Sequence, residues 1–326
     1  MESVNWGIIG CGDVTEVKSG PAFYKVKDSK LIAVMRRNAS KAEDYAKRHH
    51  VLLWYDNAND LLHNDDINAI YIATPPSSHL EYALKVLKCN KNVYLEKPMA
   101  LNSIEAQQIV DALHKSTAKL TIAHYRRQLP MFLKVKQLID DAVIGKIRCA
   151  EITLLQPLKT NIVAYTENDW RTNKTISGGG LFHDLAPHQL DLIYYLLGDY
   201  EYAHGFAMNQ SKVNDTDDVV NGIIQLYNGI QVRALWAFNI DEYSQKDELM
   251  IYGSLGNIKL SIFGNQVEIN KNGQIELLTF EHPEHIQQPM IESTVNYFLG
   301  KQDNPCPAIE GLKIMELMDL LTISNG

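Results

Sequence analysis

The sequence predicts an α/β chain in two parts: a doubly wound parallel sheet first, then an α+β part built on a mainly antiparallel sheet. Three observations carry this. Up to about residue 124, short apolar runs alternate with helix-like segments. A glycine-rich turn, Gly10-Cys11-Gly12, closes the first of those runs. Beyond residue 145, strand-like segments follow one another with Asn-Gly or Gly-Asn turns at Asn228-Gly229 and Gly264-Asn265. Strands that alternate with helices imply βαβ crossovers and a parallel sheet, whereas strands joined by tight turns imply antiparallel pairing.

In chain order, residues 4–9 read as a strand, and residues 13–26 as a helix interrupted by Gly20-Pro21. Strand 31–35, helix 40–49, strand 69–73, helix 77–89, strand 92–95, helix 103–115 and strand 120–124 follow. This is about six strands, the size of one dinucleotide-binding Rossmann domain. A helix over 131–141 stops at Gly145, and strands are expected at 148–155, 219–226, 231–238, 248–252 and 257–262. Helices over 184–197, 290–299 and 309–321 are expected to pack on that second sheet. The division is placed at 1–124 for the dinucleotide domain and 125–326 for substrate binding and oligomerisation.

Composition narrows the partners. The 326 residues suit two domains of roughly 100–200 residues each. With 31 Lys and Arg against 39 Asp and Glu, the net charge of −8 predicts neither a nucleic-acid nor an anionic-membrane partner, and leaves a small molecule as the ligand. No apolar run approaches the ~18–20 residues of a membrane span, and the start of the chain lacks a signal-peptide pattern, so a cytoplasmic protein is expected. The four cysteines, Cys11, Cys89, Cys149 and Cys306, lack metal or CxxC spacing, so neither a disulfide framework nor a metal site is expected.

Four motifs carry candidate chemistry. Gly10 and Gly12, followed by Asp13 and Val14 opening a helix, allow main chain to approach a pyrophosphate; the alternative is a plain βα turn, and Thr15 stands where the third glycine of such turns would be. Strand two ends in Met35-Arg36-Arg37, without the carboxylate that would bind a ribose 2′-hydroxyl. Arg36 or Arg37 can instead meet a 2′-phosphate, which favours NADP over NAD, unless the loop is merely solvated. Glu96-Lys97-Pro98 ends a strand of the parallel sheet, where Lys97 can donate to a substrate oxygen and Glu96 to ribose recognition; a surface turn is the competing reading. Asp184, His188 and Asp191 stand at i, i+4 and i+7 after Gly178-Gly179-Gly180, so a helix would put them on one face, with His188 either a proton acceptor or structural. Pro187 fits such a helix only in its first turn or at a kink.

Taken in order, the N-terminal glycine turn, Thr74-Pro75-Pro76 with His79, Glu96-Lys97-Pro98 and Asp184-x-x-x-His188-x-x-Asp191 resemble the Gfo/Idh/MocA family of NAD(P)-dependent oxidoreductases over essentially the whole chain. The resemblance implies Lys97, Asp184 and His188 as catalytic residues acting on a sugar, cyclitol or related hydroxy compound. It also implies Thr74, Pro75 and His79 beside the dinucleotide, and Pro98 as a cis residue. It further implies a homodimer or homotetramer formed through an open antiparallel sheet. Arg126, Trp170 and Arg171 are further substrate candidates, each with a structural alternative. Specificity is expected in the loops around 155–182 and 238–247. Two other readings stay open: a redox-assisted glycosidase with a retained cofactor, and a non-catalytic dinucleotide-binding sensor.

Overall fold

The computed structural model describes residues 2–163 and 170–322. The chain divides into two compact units, one of residues 1–128 with 283–313, the other of 129–282 with the chain from 314 onward. A single boundary at 124/125 therefore misses a return: after completing most of the second unit, the chain comes back to the first.

In the first unit the order is β1 (Val4–Ile9), α1 (Asp13–Glu16), α2 (Ala22–Lys25), β2 (Ser29–Met35), α3 (Ala39–Arg48), β3 (Leu53–Tyr55), α4 (Ala58–Leu62), β4 (Ala69–Ile72), α5 (His79–Lys88), β5 (Asn92–Leu95), α6 (Ser103–His114) and β6 (Leu120–Ile122). All strand pairs are parallel, in the order β3-β2-β1-β4-β5-β6. This is the doubly wound arrangement the sequence predicts, and the central strands β1, β4 and β5 are apolar because helices cover both faces. The predicted helix over 13–26 is two short ones, α1 and α2, broken at Gly20-Pro21.

The second unit starts with α7 (Pro130–Asp140) and β7 (Ile147–Leu155), then α8 (Lys174–Ser177), α9 (Gly180–Leu197) and the strands β8 (Tyr200–Met208), β9 (Val219–Leu226), β10 (Gln231–Ala237), β11 (Lys246–Gly253), β12 (Gly256–Leu260), β13 (Gln266–Lys271) and β14 (Gln274–Thr279). Eight strands form one sheet in the order β14-β13-β12-β11-β7-β10-β9-β8, antiparallel except for β7 beside β10. On β8 and β9 buried and exposed positions alternate, so one face packs inward while the other shows Tyr202, Phe206, Met208 and Ile223. Phe182 of α9 stands edge-on to Trp236 of β10, centroids 5.2 Å apart, on the inward face.

Three expectations about the helices are corrected. α9 begins at Gly180, not 184, so Pro187 lies in its interior. Proline there offers no N–H to the carbonyl of His183 and costs about 3 kcal/mol in an isolated helix; burial of nearly the whole of α9 offsets it. α10 (Gln288–Phe298) belongs to the first unit rather than to the antiparallel sheet. Its Phe298 ring lies 5.6 Å from Trp6 of β1. Only the later part of α11 (Ala308–Thr322) joins the second unit, where Leu321 crosses Gly205 and Gly222, paired neighbours on β8 and β9 whose lack of a Cβ admits it. No helix among the described residues is long and apolar enough to cross a membrane.

Candidate functional site

In the first unit the glycine turn sits on the end of β4. Gly10 has φ +95°, and a Cβ there would stand 2.8 Å from the Thr74 side chain and 2.9 Å from main-chain atoms of Ala73 and Thr74. Both the turn and the close approach therefore require glycine. Around Gly12 the space is open: an added Cβ would meet no heavy atom closer than 4.0 Å. Asp13, exposed, and Val14, half-buried, open α1. Thr15, in the place of a third glycine, is buried, donates its hydroxyl to the Gly12 carbonyl at 2.7 Å and accepts the Tyr45 hydroxyl on its main-chain carbonyl at 2.8 Å.

Beside this turn the hydroxyl of Thr74 is buried and has no hydrogen-bond partner among the described residues. An orphaned donor next to bare glycine main chain fits a ligand rich in acceptor oxygens, as a dinucleotide pyrophosphate is. Arg36 follows β2, is half-buried, and donates from Nη1 to the Cys11 carbonyl at 3.2 Å, which rests its guanidinium on the turn. Arg37 is exposed. Thr74 and Pro75 are half-buried at the end of β4.

His79 and Glu96, both candidate cofactor contacts, turn inward. The His79 ring is fully buried, with Nε2 2.8 Å from the Thr74 carbonyl and Nδ1 2.9 Å from the Pro98 carbonyl. Burial outweighs the two carbonyls, which favour the cation, and pushes its pKa down to about 4. The unfolded chain thus takes up a proton that the folded state refuses. The His79 contribution to stability is complete above pH 6.5 and is lost as pH falls towards 4, by about 3 kcal/mol in all. Denaturant titrations across that range should show the slope in the wild type and its reduction in His79→Gln.

Glu96 is 6% exposed. Its Oε1 accepts from the Tyr71 hydroxyl at 2.5 Å and from Gln287 Nε2 at 2.7 Å, and its Oε2 from the Lys97 main-chain N–H at 3.2 Å. Burial raises its pKa, against these donors and the Lys97 charge. Lys97 itself is half-buried, and its bond to Pro98 is cis. Arg126 is buried in a single 3-10 turn, its guanidinium carbon 5.2 Å from the Tyr125 ring centre.

In the second unit, Asp184 and His188 lie one turn apart on α9, 8% and 5% exposed. Asp184 Oδ2 accepts from Arg171 Nε at 2.6 Å, and the Arg171 guanidinium lies 4.6 Å from the Trp170 ring centre. Three of the four substrate candidates of this unit, Trp170, Arg171 and Asp184, are thus one stacked and ion-paired group, with His188 the fourth. Asp191 is buried further along α9. The His188 ring meets Phe263 edge to face, with centroids 5.7 Å apart. Gly180 has φ +70°, and a Cβ on it would strike Thr216 Oγ1 at 2.3 Å, so glycine is what lets α9 begin there. Residues 164–169, within the expected specificity loop 155–182, lie outside the described residues.

Several neighbours escape motif reading. Tyr71, Gln287 and Phe263 are single residues far in sequence from the groups they touch, and only the apolar setting of Tyr71 hints at a buried hydroxyl. Thr172, Asn214, Thr216 and Asp218 line a cavity of about 30 Å³ beside Arg171, room for one water-sized group. Burial pushes the Asp218 pKa up, but the Ser211 side chain and the N–H groups of Gln210 and Ser211 prevail and hold it below the usual carboxylate range.

Residues 4–124 match a family model described as an oxidoreductase family with an NAD-binding Rossmann fold, and residues 132–259 match the GFO/IDH/MocA C-terminal domain. Oxidoreductase P35 of Formosa agariphila is 51% identical over 321 residues, which cover 98% of this chain and 99% of that protein. Levoglucosan dehydrogenase of Pseudarthrobacter phenanthrenivorans is 27% identical over 209 residues, 61% of this chain and 53% of that one. A solved levoglucosan dehydrogenase in complex with NADH and levoglucosan shares the fold, with a TM-score of 0.86 at 19% identity over 98% of this chain and 96% of its own. The chain belongs to the Gfo/Idh/MocA family of NAD(P)-dependent oxidoreductases.

Proposed function

We propose that the protein moves a hydride between a nicotinamide dinucleotide and a hydroxyl-bearing carbon of a sugar, a cyclitol or a related polyhydroxylated small molecule. The observation that carries this is the pair Asp184 and His188: a carboxylate ion-paired to Arg171 and an imidazole, one turn apart on a buried helix that also buries His183 and Asp191. Burying ionisable groups is costly unless they are paired, and such groups cluster where chemistry or binding needs them. The dinucleotide, held by the Gly10–Gly12 turn, Thr74 and Pro75, supplies acceptance or donation of two electrons with a proton as hydride. In the oxidative direction the substrate carbon loses its hydrogen with the bonding pair, the hydroxyl proton passes to His188 Nε2 or Nδ1, and a carbonyl remains. Lys97 donates to the reacting oxygen and stabilises its developing charge. Asp184, with Arg171, orients substrate or imidazole; Trp170 offers an apolar face to a sugar ring.

The test is a panel of aldoses, ketoses, inositols and their oxidised forms, followed by nicotinamide absorbance with NAD and NADP. Reduction dependent on one such compound supports the reading. Bond cleavage without net nicotinamide turnover would point instead to a redox-assisted glycosidase, and tight dinucleotide binding with no turnover to a sensor.

NADP is the preferred cofactor in this proposal. Arg36 rests on the glycine turn through the Cys11 carbonyl, Arg37 is its exposed neighbour, and no carboxylate stands at the end of β2. A hydrogen bond between charged groups contributes about 1.5–3 kcal/mol, so Arg36→Asp is expected to weaken NADP(H) by roughly one to two orders of magnitude and change NAD(H) little. Calorimetric titration of both dinucleotides against both proteins checks it; equal or tighter NAD(H) binding by the wild type removes the preference.

The exposed apolar row Tyr202, Phe206, Met208 and Ile223 on β8 and β9 is assigned to a second copy of the chain, as a homodimer or homotetramer. Sedimentation should give a multiple of the 36.9 kDa chain mass, and Phe206→Glu should shift it to the monomer.

A further inference from the structure

Lys97 is flanked by two residues that are themselves tied down. After it, the Pro98 carbonyl meets His79. Before it, Glu96 folds back so that Oε2 takes the Lys97 main-chain N–H, while Oε1 takes Tyr71 and Gln287. Tyr71 and Gln287 are 0% and 1% exposed. Gln287 is held by its own surroundings: the Tyr94 hydroxyl donates to its Oε1 at 3.3 Å, and its main-chain N–H donates to the Lys18 carbonyl at 3.1 Å. With the amide turned the other way, two acceptor oxygens would face each other at the carboxylate.

This buried network exceeds what packing asks for. Apolar side chains of similar volume at 71, 96 and 287 would fill the core without the desolvation cost of a carboxylate. A satisfied polar network does what an apolar core does poorly, which is to fix one arrangement of its members. Gln287 reaches the network in the segment that returns to the first unit, which is also anchored there by His285 Nδ1 to the Val17 carbonyl at 2.7 Å and by Lys25 to Glu284 at 2.9 Å.

We propose that Gln287, together with Tyr71, is a positioning residue for Lys97: by pinning one oxygen of Glu96 they leave the other to hold the Lys97 main chain and so set where its ammonium is delivered. The functional half of this rests on the catalytic role given to Lys97 above; the structural half does not.

Gln287→Leu and the milder Tyr71→Phe test it in the full-length protein, with thermal unfolding to confirm that each folds. Hydrogen exchange resolved to the Lys97 amide should accelerate about tenfold in both, while the ladder amides of Val93 to Leu95 keep their wild-type rates. On the sugar or cyclitol that proves active, kcat should fall ~10- to 100-fold with KM and dinucleotide affinity nearly unchanged. In a Lys97→Ala background, adding Gln287→Leu should lower kcat less than about twofold. Unchanged exchange at Lys97 in both variants overturns the proposal, as does a double variant whose losses multiply. Faster exchange with wild-type kcat would leave the hydrogen bonds standing and overturn their positioning role, whereas a Lys97→Ala variant that keeps wild-type kcat would overturn the catalytic role of Lys97, so the two failures are distinguishable.

Discussion

Lys97→Ala is expected to bind NADP(H) within a few-fold of wild type while losing ~10²–10³ in kcat, the usual cost of removing one donor aimed at developing charge. The reason is positional. Lys97 follows β5 at the C-terminal edge of the parallel sheet, where ligands of doubly wound folds bind. It is held from both sides by Glu96 and by the His79 contact to Pro98. Under the proposed function an ammonium there would stabilise the alkoxide-like oxygen as the carbon gives up its hydride, an interaction stronger in the transition state than in the bound substrate, so kcat rather than KM is expected to carry the loss. Lys97→Met preserves most of the apolar stem, and should match Lys97→Ala if charge is what matters. Steady-state kinetics on the active sugar or cyclitol, beside calorimetry of dinucleotide binding, decide it.

His188→Ala is expected to lower kcat by ~10²–10⁴, the range that a positioned general acid or base contributes. His188→Asn should do the same and also flatten the limb of the kcat/KM pH profile that reports the base. The imidazole is 5% exposed, one turn beyond Asp184 on α9 and edge-on to Phe263. Packing against Phe263 therefore helps to set its ring plane. Asp184→Asn should cost less, because it removes the ion pair with Arg171 but keeps the side-chain volume. Wild-type turnover in His188→Ala would take that residue out of the mechanism.

The parallel sheet was legible because its strands are buried on both faces: Val4–Ile9 and Ala69–Ile72 have no competing periodicity, and the turn at Gly10 is glycine for a steric reason. β3 lacks that signal, being three residues at a sheet edge with Leu53 and Trp54 partly in solvent. β8 lacks it as well, because Ala203 and Gly205 stand on its buried face while Tyr202 and Phe206 face out, inverting the usual pattern. α9 starts at Gly180, one turn before the expected residue 184, because a proline that fits either a first turn or a kink does not by itself fix where a helix begins. The return of 283–313 to the first unit left no local trace, since α10 is an ordinary amphipathic helix whose partner is decided by tertiary packing. For the same reason motifs named Glu96 and Lys97, but not Tyr71 or Gln287, whose roles exist only in the folded chain.

The most direct measurement of hydride transfer uses sugars and inositols deuterated at their hydroxyl-bearing carbons, incubated with the protein and oxidised NADP, and the reduced dinucleotide weighed by mass spectrometry. The proposed function predicts one deuterium on the dinucleotide for each carbonyl formed, and loss of this transfer in Lys97→Ala and His188→Ala. Reduced dinucleotide carrying only protium, or carbonyl product formed with no label on the dinucleotide, would contradict it.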